Sequence, residues 1–255
     1  MIQAQRAFAN AVESIATGIQ ANLNPADSYV ATGLDTSIRS ARQAMSNAEM
    51  GYNFTAMADS TLDSVTGNLH RIRELALQAA NGVYSDSQIS AMQAEIDQNV
   101  EQIRQTFENS DFNGKKTVNA VTPEDSSVAP TVNFMVGANS TEMISYNPNI
   151  ELGSMNFDVS SPDAAAASLA QVDTMLNNIG SKRGEIGAVQ TSFEGAIQQQ
   201  STSIMSYASS LSGIQDTDIV TAVAELQKAK FSMEAMGKVM KAVMNSERYV
   251  LDLIK

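Results

Sequence analysis

The stretch that decides the fold is residues 62–82, LDSVTGNLHRIRELALQAANG. Its apolar residues recur at steps of three and four, which is the spacing of one face of an α-helix. The same spacing extends back to Leu34 and predicts one continuous helix of about 55 residues, on the order of 80 Å long. The apolar stripe comprises Leu34, Ile38, Ala41, Met45, Ala48, Tyr52, Leu62, Val65, Leu69, Ile72, Ala76 and Ala79.

Short signals mark where this helix and its neighbours begin and end. Asn24-Pro25 is a start signal, because Asn caps a helix and Pro suits its first turn. Thr17-Gly18 and Asn81-Gly82 are end signals, since Gly fits the left-handed position after a helix. We therefore expect a short helix over residues 1–18 before the long one. Residues 85–88, SDSQ, resemble a capping box and predict a further helix to Phe107 or Phe112, followed by a turn at Asn113-Gly114.

Residues 115–160 are rich in Thr, Val, Asn, Ser and Pro and predict a small β element of two or three strands. Val132, Phe134 and Val136 alternate with other positions, and Met143–Tyr146 follows a turn signal. This is the region for which the sequence predicts strands instead of helices.

The last part of the chain predicts two more helices. The first begins at Ser161-Pro162-Asp163 and has apolar residues that repeat every seven positions. A joint after Ser212-Gly213 separates it from a final helix over about residues 217–254. The two columns of the first helix are Val172, Ile179, Ile186, Phe193, Gln200, Tyr207 and Ile214, and Leu169, Leu176, Arg183, Gln190, Ile197, Ile204 and Leu211.

The final helix carries a wide apolar stripe, which is either a membrane-binding face or a surface for burial against other helices. Acidic residues interleave with its few lysines, which favours helix–helix burial between subunits. Methionines in the stripe suit an adaptable interface. Its main members are Ile219, Leu226, Met233, Met236, Met240, Val243, Val250, Leu251 and Ile254.

Together these elements predict a mainly α fold, with long antiparallel helical rods packed as in a coiled coil and a small β-hairpin element. The simplest packing folds the chain back on itself and brings both termini to one end. We expect two domains: a terminal domain of residues 1–24 and 213–255, and a rod domain of residues 25–212.

The composition excludes several kinds of function. The net charge of −12 disfavours nucleic acid and anionic membranes as partners. The chain has no Cys and one His, His70, so thiolate and multi-histidine metal sites are excluded. We read no catalytic set, metal cluster or phosphate loop, and we expect neither a cofactor nor an enzyme. Residues 1–18 lack the apolar segment of a cleavable secretory signal.

Several segments, taken in order, resemble the bacterial flagellins. Residues 69–82, LHRIRELALQAANG, resemble the most diagnostic segment of that family, and residues 183–190, RGEIGAVQ, resemble a stretch of its C-terminal rod. The remaining matching segments are Gln93–Ile96, Phe112–Gly114, Val136–Asn139 and the ending Val250–Lys255.

The resemblance implies a structural subunit that polymerises into the bacterial flagellar filament for motility. Its terminal domain would line the filament core, and its rod domain would lie outside. The implied partners are further copies of the chain, an export chaperone, and hook-associated and cap proteins, with an extracellular location reached without a cleavable signal. The alternatives are a hook–filament junction protein of the same family and a coiled-coil tip or effector protein of a type III secretion system.

Two departures from the family pattern concern the N-terminal part. Residues 18–27, GIQANLNPAD, replace the usual Gly-Leu-Arg-Ile segment with its acidic pair. The first predicted helix is about 24 Å long and the last about 57 Å. We therefore expect either native residues before Met1 or an inner tube that is built differently.

The resemblance also implies a surface role for Arg71, Leu75 and Glu95. In flagellins these motif positions contribute to protofilament contacts and, in many members, to recognition by the flagellin-sensing Toll-like receptor. Recognised members usually carry Arg where this chain has Asn99, so we expect retained but weakened recognition. Equally open is that Arg71 and Glu95 serve only helix packing and subunit contacts. His70 is expected to be a surface or interface side chain.

Overall fold

The computed structural model describes the backbone of residues 2–138 and 141–253, and the side chains of residues 2–138 and 141–245. Five long helices and six short strands follow one another in this part of the chain. The helices are α1 (Ile2–Thr17), α2 (Pro25–Ala79), α3 (Asp86–Glu108), α4 (Pro162–Gln215) and α5 (Ile219–Leu253), and the strands are β1 (Asp111–Phe112), β2 (Lys115–Lys116), β3 (Asn119–Val121), β4 (Val132–Met135), β5 (Met143–Tyr146) and β6 (Asn149–Glu151).

The predicted helix boundaries are largely confirmed. The Asn24 side chain accepts a hydrogen bond from the backbone N–H of Asp27 at 2.8 Å and so caps α2. Gly18 and Gly82 follow helix ends with φ of +71° and +65°. Ser85 and Gln88 form the expected capping box at the start of α3. Helix α2 has the predicted 55 residues, so the cap and glycine signals were sufficient to define it.

The chain divides into two compact units by its contacts. Unit 1 comprises residues 1–39 and 203–255, and unit 2 comprises residues 40–202. Both boundaries fall within continuous helices, whereas the sequence placed them at the breaks after residues 24 and 212. Residues 25–39 and 203–212 thus fall in unit 1, and the predicted boundaries of the terminal and rod domains stay a prediction. The assignment of terminal and rod domains to parts of a filament stays a prediction.

Unit 2 has a continuous core between α2, α3, α4 and the strands. Most of the predicted α2 stripe is buried, with Leu62, Val65 and Ile72 fully inaccessible to solvent. Leu34, Met45 and Tyr52 are only half-buried. An aromatic group extends the core toward the strands: the Phe54 ring lies 5.8 Å from that of Tyr146, and the Phe134 ring 5.4 Å from that of Phe193. Aromatic pairs in such edge-on geometry add to the stabilisation from area burial.

The β region has more strands than the two or three predicted. Strands β1 and β2 pair around Asn113-Gly114, so this dipeptide makes the two-residue turn of a hairpin, with both φ values positive. Strands β4 and β5 form the expected antiparallel hairpin. Strands β3 and β6 pair in parallel. Two- and three-residue strands carry too little alternation to be found in a sequence, which explains the miscount.

One of the two predicted columns of α4 needs correction. Val172, Ile179, Ile186 and Phe193 are buried as expected, but Leu169, Leu176 and Arg183 are only half-buried. The second buried column is Ser168, Met175 and Lys182, shifted by one residue. It was missed because two of its members are polar.

Lys182 is stabilised by specific partners in the core. Its Nζ donates to the backbone oxygen of Asn147 at 2.6 Å and to the carboxylate of Glu185 at 2.9 Å. It also lies 5.3 Å from the centroid of the Tyr146 ring. Burial and the charge of Glu185 raise the pKa of the Tyr146 phenol, whose hydroxyl donates to the Thr117 oxygen at 2.9 Å. The contacts of Lys182 therefore hold the turn between β5 and β6 against α4.

Candidate functional site

In unit 1, helices α1 and α5 pack against each other through small side chains. The buried residues of α1 are Ala4, Ala11 and Ser14, and those of α5 are Ala222 and Ala229. Residues seven positions apart lie on one face of a helix, so both helices present a narrow stripe of small residues. Small side chains let helix axes approach closely but remove little apolar area from water. The pairing alone therefore gives unit 1 a modest core.

Helix α5 also carries large apolar side chains that this pairing leaves exposed. Met236, Met240 and Met244 are 38%, 49% and 60% exposed and follow one another at steps of four residues. They continue the side of the helix on which Ala222 and Ala229 lie. Of the predicted stripe, Ile219, Met236, Met240 and Val243 are exposed, and Leu226 and Met233 are half-buried. The side chains of Val250 and Leu251, and Ile254 as a whole, lie outside the described residues.

A second apolar surface on α5 was not predicted. Val220 and Phe231 are 80% and 74% exposed, and they lie on the side of the helix opposite Ala222 and Ala229. Val239 is also exposed, between the two surfaces. The heptad pattern missed these residues because they fall outside its columns. Phe231 could have been noticed in the sequence, because it is a large aromatic residue at a position expected to be polar, in a chain with 8 Phe.

The start of α5 is fixed by hydrogen bonds to Asp218. Its carboxylate accepts the Val220 backbone N–H at 3.0 Å and the Thr221 hydroxyl at 2.7 Å. These hydrogen bonds, led by that of Thr221, lower the pKa of Asp218, because they favour its charged form. Just before it, the Thr217 backbone N–H donates to the Gly18 oxygen and Gln20 N–H to the Gln215 oxygen. These two backbone hydrogen bonds connect the residues that follow α1 with the joint between α4 and α5.

The structure brings Arg71 and Glu95 together in unit 2. Nε of Arg71, on α2, donates to Oε1 of Glu95, on α3, at 2.7 Å, and Nη1 contacts Glu74 at 3.2 Å. These bonds raise the pKa of Arg71, Glu95 contributing most. Both side chains are about half exposed, so the pair is accessible to a partner. The Asn99 side chain donates to the Glu95 backbone oxygen at 2.8 Å.

Leu75 lies apart from this surface, in the core of unit 2, with 2% of its area exposed. Leu75 follows Arg71 by about one helical turn, but its side chain packs into the hydrophobic core of unit 2. The interface role expected of Leu75 stays a prediction. Leu77, two residues further on, is the exposed leucine of this segment. The recognition role expected of Arg71 and Glu95 stays a prediction.

His70 is exposed on α2. No group of three or more His, Cys, Asp or Glu in the described part of the chain has the arrangement of a metal site. Among the described helices, none combines the length and hydrophobicity needed to cross a membrane.

Two family models match the chain. Residues 1–122 match the bacterial flagellin N-terminal helical region, and residues 169–254 match the bacterial flagellin C-terminal helical region. The two matches take in α1 to α3 and nearly all of α4 and α5. They leave out most of the β region, which lies between them.

Individual relatives cover most of the chain at low identity. A flagellar filament 31.3 kDa core protein of Treponema maltophilum is 27% identical, over 98% of this chain and 93% of the relative. A flagellin of Halalkalibacterium halodurans is 24% identical, over 96% and 91%. The crystal structure of Bacillus cereus flagellin aligns with a TM-score of 0.52 at 19% identity, over 64% of this chain and 88% of that one. The structural match concerns the fold alone and agrees with a helical fold that contains a small β element.

Proposed function

Because the chain belongs to the bacterial flagellin family, we propose that it is a structural subunit that polymerises into the flagellar filament. Proteins of this family are structural, and we propose that this chain likewise acts by assembly and not by catalysis. The filament is extracellular, and the chain would reach it by specialised export.

The observation that carries the proposal is the exposed apolar surface of α5. Val220 and Phe231 on one side of the helix, Met240 and Met244 on another, and Val239 between them are each about half exposed or more. Exposed apolar surfaces that are contiguous along one element mark partner contacts. A helix with apolar residues on two sides can bury both only when several helices surround it. Neighbouring copies of the same chain supply such surroundings in a helical polymer.

The pairing of α1 with α5 buries little apolar area, and this supports a folding step that is coupled to assembly. Ordering a helix costs conformational entropy, and in unit 1 mainly alanine contacts offset this cost within the chain. Burial of the α5 surface between neighbours would supply the remaining stabilisation. We propose that residues 1–24 and 213–255 form the filament core and that residues 25–212 form the outer rod domain of the filament.

The proposed contacts of unit 2 are polar. The Arg71–Glu95 pair is exposed, and we propose that it contributes to contacts between protofilaments and to recognition by a flagellin-sensing Toll-like receptor. Asn99 lacks the positive charge found in recognised family members, so recognition would be weakened. An export chaperone and hook-associated and cap proteins complete the proposed partners.

Deletion of residues 226–255 tests the proposal. The deletion removes most of α5, including Phe231 and Val239. We expect a soluble monomer that retains the helical signal of unit 2 and does not polymerise, while the full chain forms tubes of uniform diameter in electron micrographs. Filaments formed by the truncated chain would refute the proposed role of α5.

A point-variant series gives the same test without loss of a helix. We expect Phe231→Ser with Val239→Ser to raise the critical concentration for assembly, because apolar burial between copies is lost. Lys230→Ser is the matched control, as Lys230 is an exposed neighbour on the same helix. The control should polymerise as the unchanged chain does. Equal effects of the two variants would show that loss of apolar surface is not the cause.

A further inference from the structure

The sulfur chemistry of this chain is confined to methionine. The sequence has 14 Met and no Cys, so thioethers are the only groups that mild oxidants can convert reversibly. The buried ones lie in unit 2, where Met92, Met155 and Met175 are each at most 9% exposed. The structure therefore separates oxidisable from protected methionines within one chain.

Three exposed methionines form a row on the surface that the proposed function uses. Met236, Met240 and Met244 follow at steps of four on α5, and their exposure increases along the row. Val243 on this face and Val239 at its edge are apolar and exposed as well but cannot be oxidised under mild conditions. Oxidation would thus change three side chains of one continuous apolar surface and leave the rest intact.

We propose that Met236, Met240 and Met244 are a peroxide-sensitive modification site whose oxidation to methionine sulfoxide blocks polymerisation of the unassembled chain. The inference rests on the proposed function, because it concerns the same α5 surface. In the reaction, a lone pair on Sδ attacks one peroxide oxygen and the O–O bond breaks. Sulfur gains that oxygen and is oxidised by two electrons, and the other oxygen leaves as water after proton transfer.

The consequence follows from the polarity of the product. A sulfoxide oxygen is a strong hydrogen-bond acceptor, whereas the thioether that it replaces is apolar and polarisable. Burial of the new acceptor between helices without a donor carries a large penalty. Three such groups on one face would raise the critical concentration for assembly roughly tenfold or more. The sulfoxides can be reduced enzymatically, so the block would be reversible.

The experiment treats the monomer with hydrogen peroxide, maps sulfoxides by peptide mass spectrometry and then measures the critical concentration. We expect sulfoxide at the three α5 positions before it forms at Met92, Met155 and Met175, together with loss of assembly. The triple variant M236L/M240L/M244L keeps an apolar face and should assemble after peroxide treatment. The matched control M50L/M135L/M143L removes three comparably exposed methionines of unit 2 and should remain as sensitive as the unchanged chain.

Each possible outcome of this experiment either supports or overturns the inference. Normal assembly of a chain oxidised at Met236, Met240 and Met244 would overturn it, and so would equal sensitivity of the α5 triple variant. If that variant fails to assemble untreated, enzymatic reduction of the oxidised unchanged chain decides: restored assembly supports the inference, and unrestored assembly overturns it. Failure of the untreated, unchanged chain to polymerise would instead overturn the proposed function, and this inference with it.

Discussion

Unit 2 buries many large side chains, whereas unit 1 buries mainly Ala and Ser and leaves several large apolar side chains of α5 exposed. In unit 2, the rings of Phe54, Tyr146 and Phe193 are at most 2% exposed. In unit 1, Phe231 is 74% exposed. The two units therefore differ in where their large apolar side chains lie: unit 2 buries many of them within the chain, and unit 1 leaves several exposed, where we propose that other copies cover them.

Polar contacts show the same contrast. In unit 2, Arg183 on α4 binds Asp59 on α2 at 2.7 Å and Asp63 at 2.9 Å, and Arg73 binds Asp173 at 2.7 Å. These contacts raise the pKa of Arg183, with the Asp59 hydrogen bond as the largest cause. Paired charges at defined spacing fix the register of neighbouring helices. Among the described side chains of unit 1, Arg39 pairs with Asp35 within a single helix, and this pair fixes no register.

The largest expected effect comes from exchanging one phenylalanine in each unit for alanine. Phe193→Ala should lower the free energy of unfolding of unit 2 by about 3–5 kcal/mol, since a fully buried ring leaves a cavity. Phe231→Ala should leave the stability of the monomer nearly unchanged and weaken polymerisation. Denaturation followed by circular dichroism and the critical concentration for assembly measure the two effects. A monomer destabilised equally by both variants would remove the distinction between the units.

Two glycines on α2, Gly51 and Gly67, differ in how tightly their surroundings are packed, and they allow a test of packing within unit 2. A Cβ at Gly51 would lie 2.4 Å from the ring of Phe193, and nothing lies within 4 Å of one at Gly67. Gly51→Ala should therefore destabilise unit 2 by about 1–3 kcal/mol through overpacking. Gly67→Ala should stabilise it by roughly 0.4–1 kcal/mol, because the unfolded chain loses freedom.

The same denaturation curves measure both glycine variants. The expected changes in the free energy of unfolding have opposite signs because of packing alone, since both glycines lie in the interior of one helix. A stabilising Gly51→Ala variant would mean that the ring of Phe193 does not pack against α2 at this point.

In unit 1, the pairing of α1 with α5 can be broken at an alanine. Ala229 is buried, and Ala224 on the same helix is exposed. Ala229→Leu should separate the two helices, because the larger side chain cannot fit into a seam of small residues. Amide exchange in α1 should then become faster, while Ala224→Leu leaves it unchanged. Equal exchange in both variants would show that α1 is not held by this seam.

The smallest expected effect concerns Asp218. Its lowered pKa means that its contribution to helix stability is complete above the ordinary aspartate pKa and is lost as the pH falls through the lowered value, below about pH 4. Asp218→Ala should speed amide exchange at Val220 and Thr221 at pH 7. At pH 2 the variant and the unchanged chain should exchange alike. A difference that persists at pH 2 would assign the effect to something other than the carboxylate.

The long helices could be predicted from the sequence because their signals are local. Asn24, Gly18 and Gly82 mark ends by their own conformational preferences, and the α2 stripe repeats often enough to average out single exceptions. The exposed face of α5 could also be predicted in part, as an apolar stripe without an obvious partner. Phe231 could not, because the heptad pattern gives weight only to residues in its columns.

Features that depend on distant residues could not be predicted. Lys182 is buried because an oxygen of Asn147 and the ring of Tyr146 lie beside it, 35 and 36 positions away in the sequence. The segment before α4 has no regular secondary structure, yet it is held in place by side chains. Gln93 donates to the Phe157 oxygen at 2.7 Å and accepts the Val159 N–H at 3.0 Å. Such side-chain pairing leaves no periodic trace in the sequence.

Amide hydrogen exchange of the same chain, as monomer and as filament, tests most directly whether unit 1 is completed by other copies. In the monomer, we expect slow exchange in the unit 2 segments of α2 and α4, and faster exchange in α1 and α5, which their pairing protects only weakly. On polymerisation, the amides of residues 219–245 should become protected by a factor of roughly a hundred or more, as helices buried in a core are. Protection of α5 in the monomer equal to that of unit 2, with no change on polymerisation, would contradict the account.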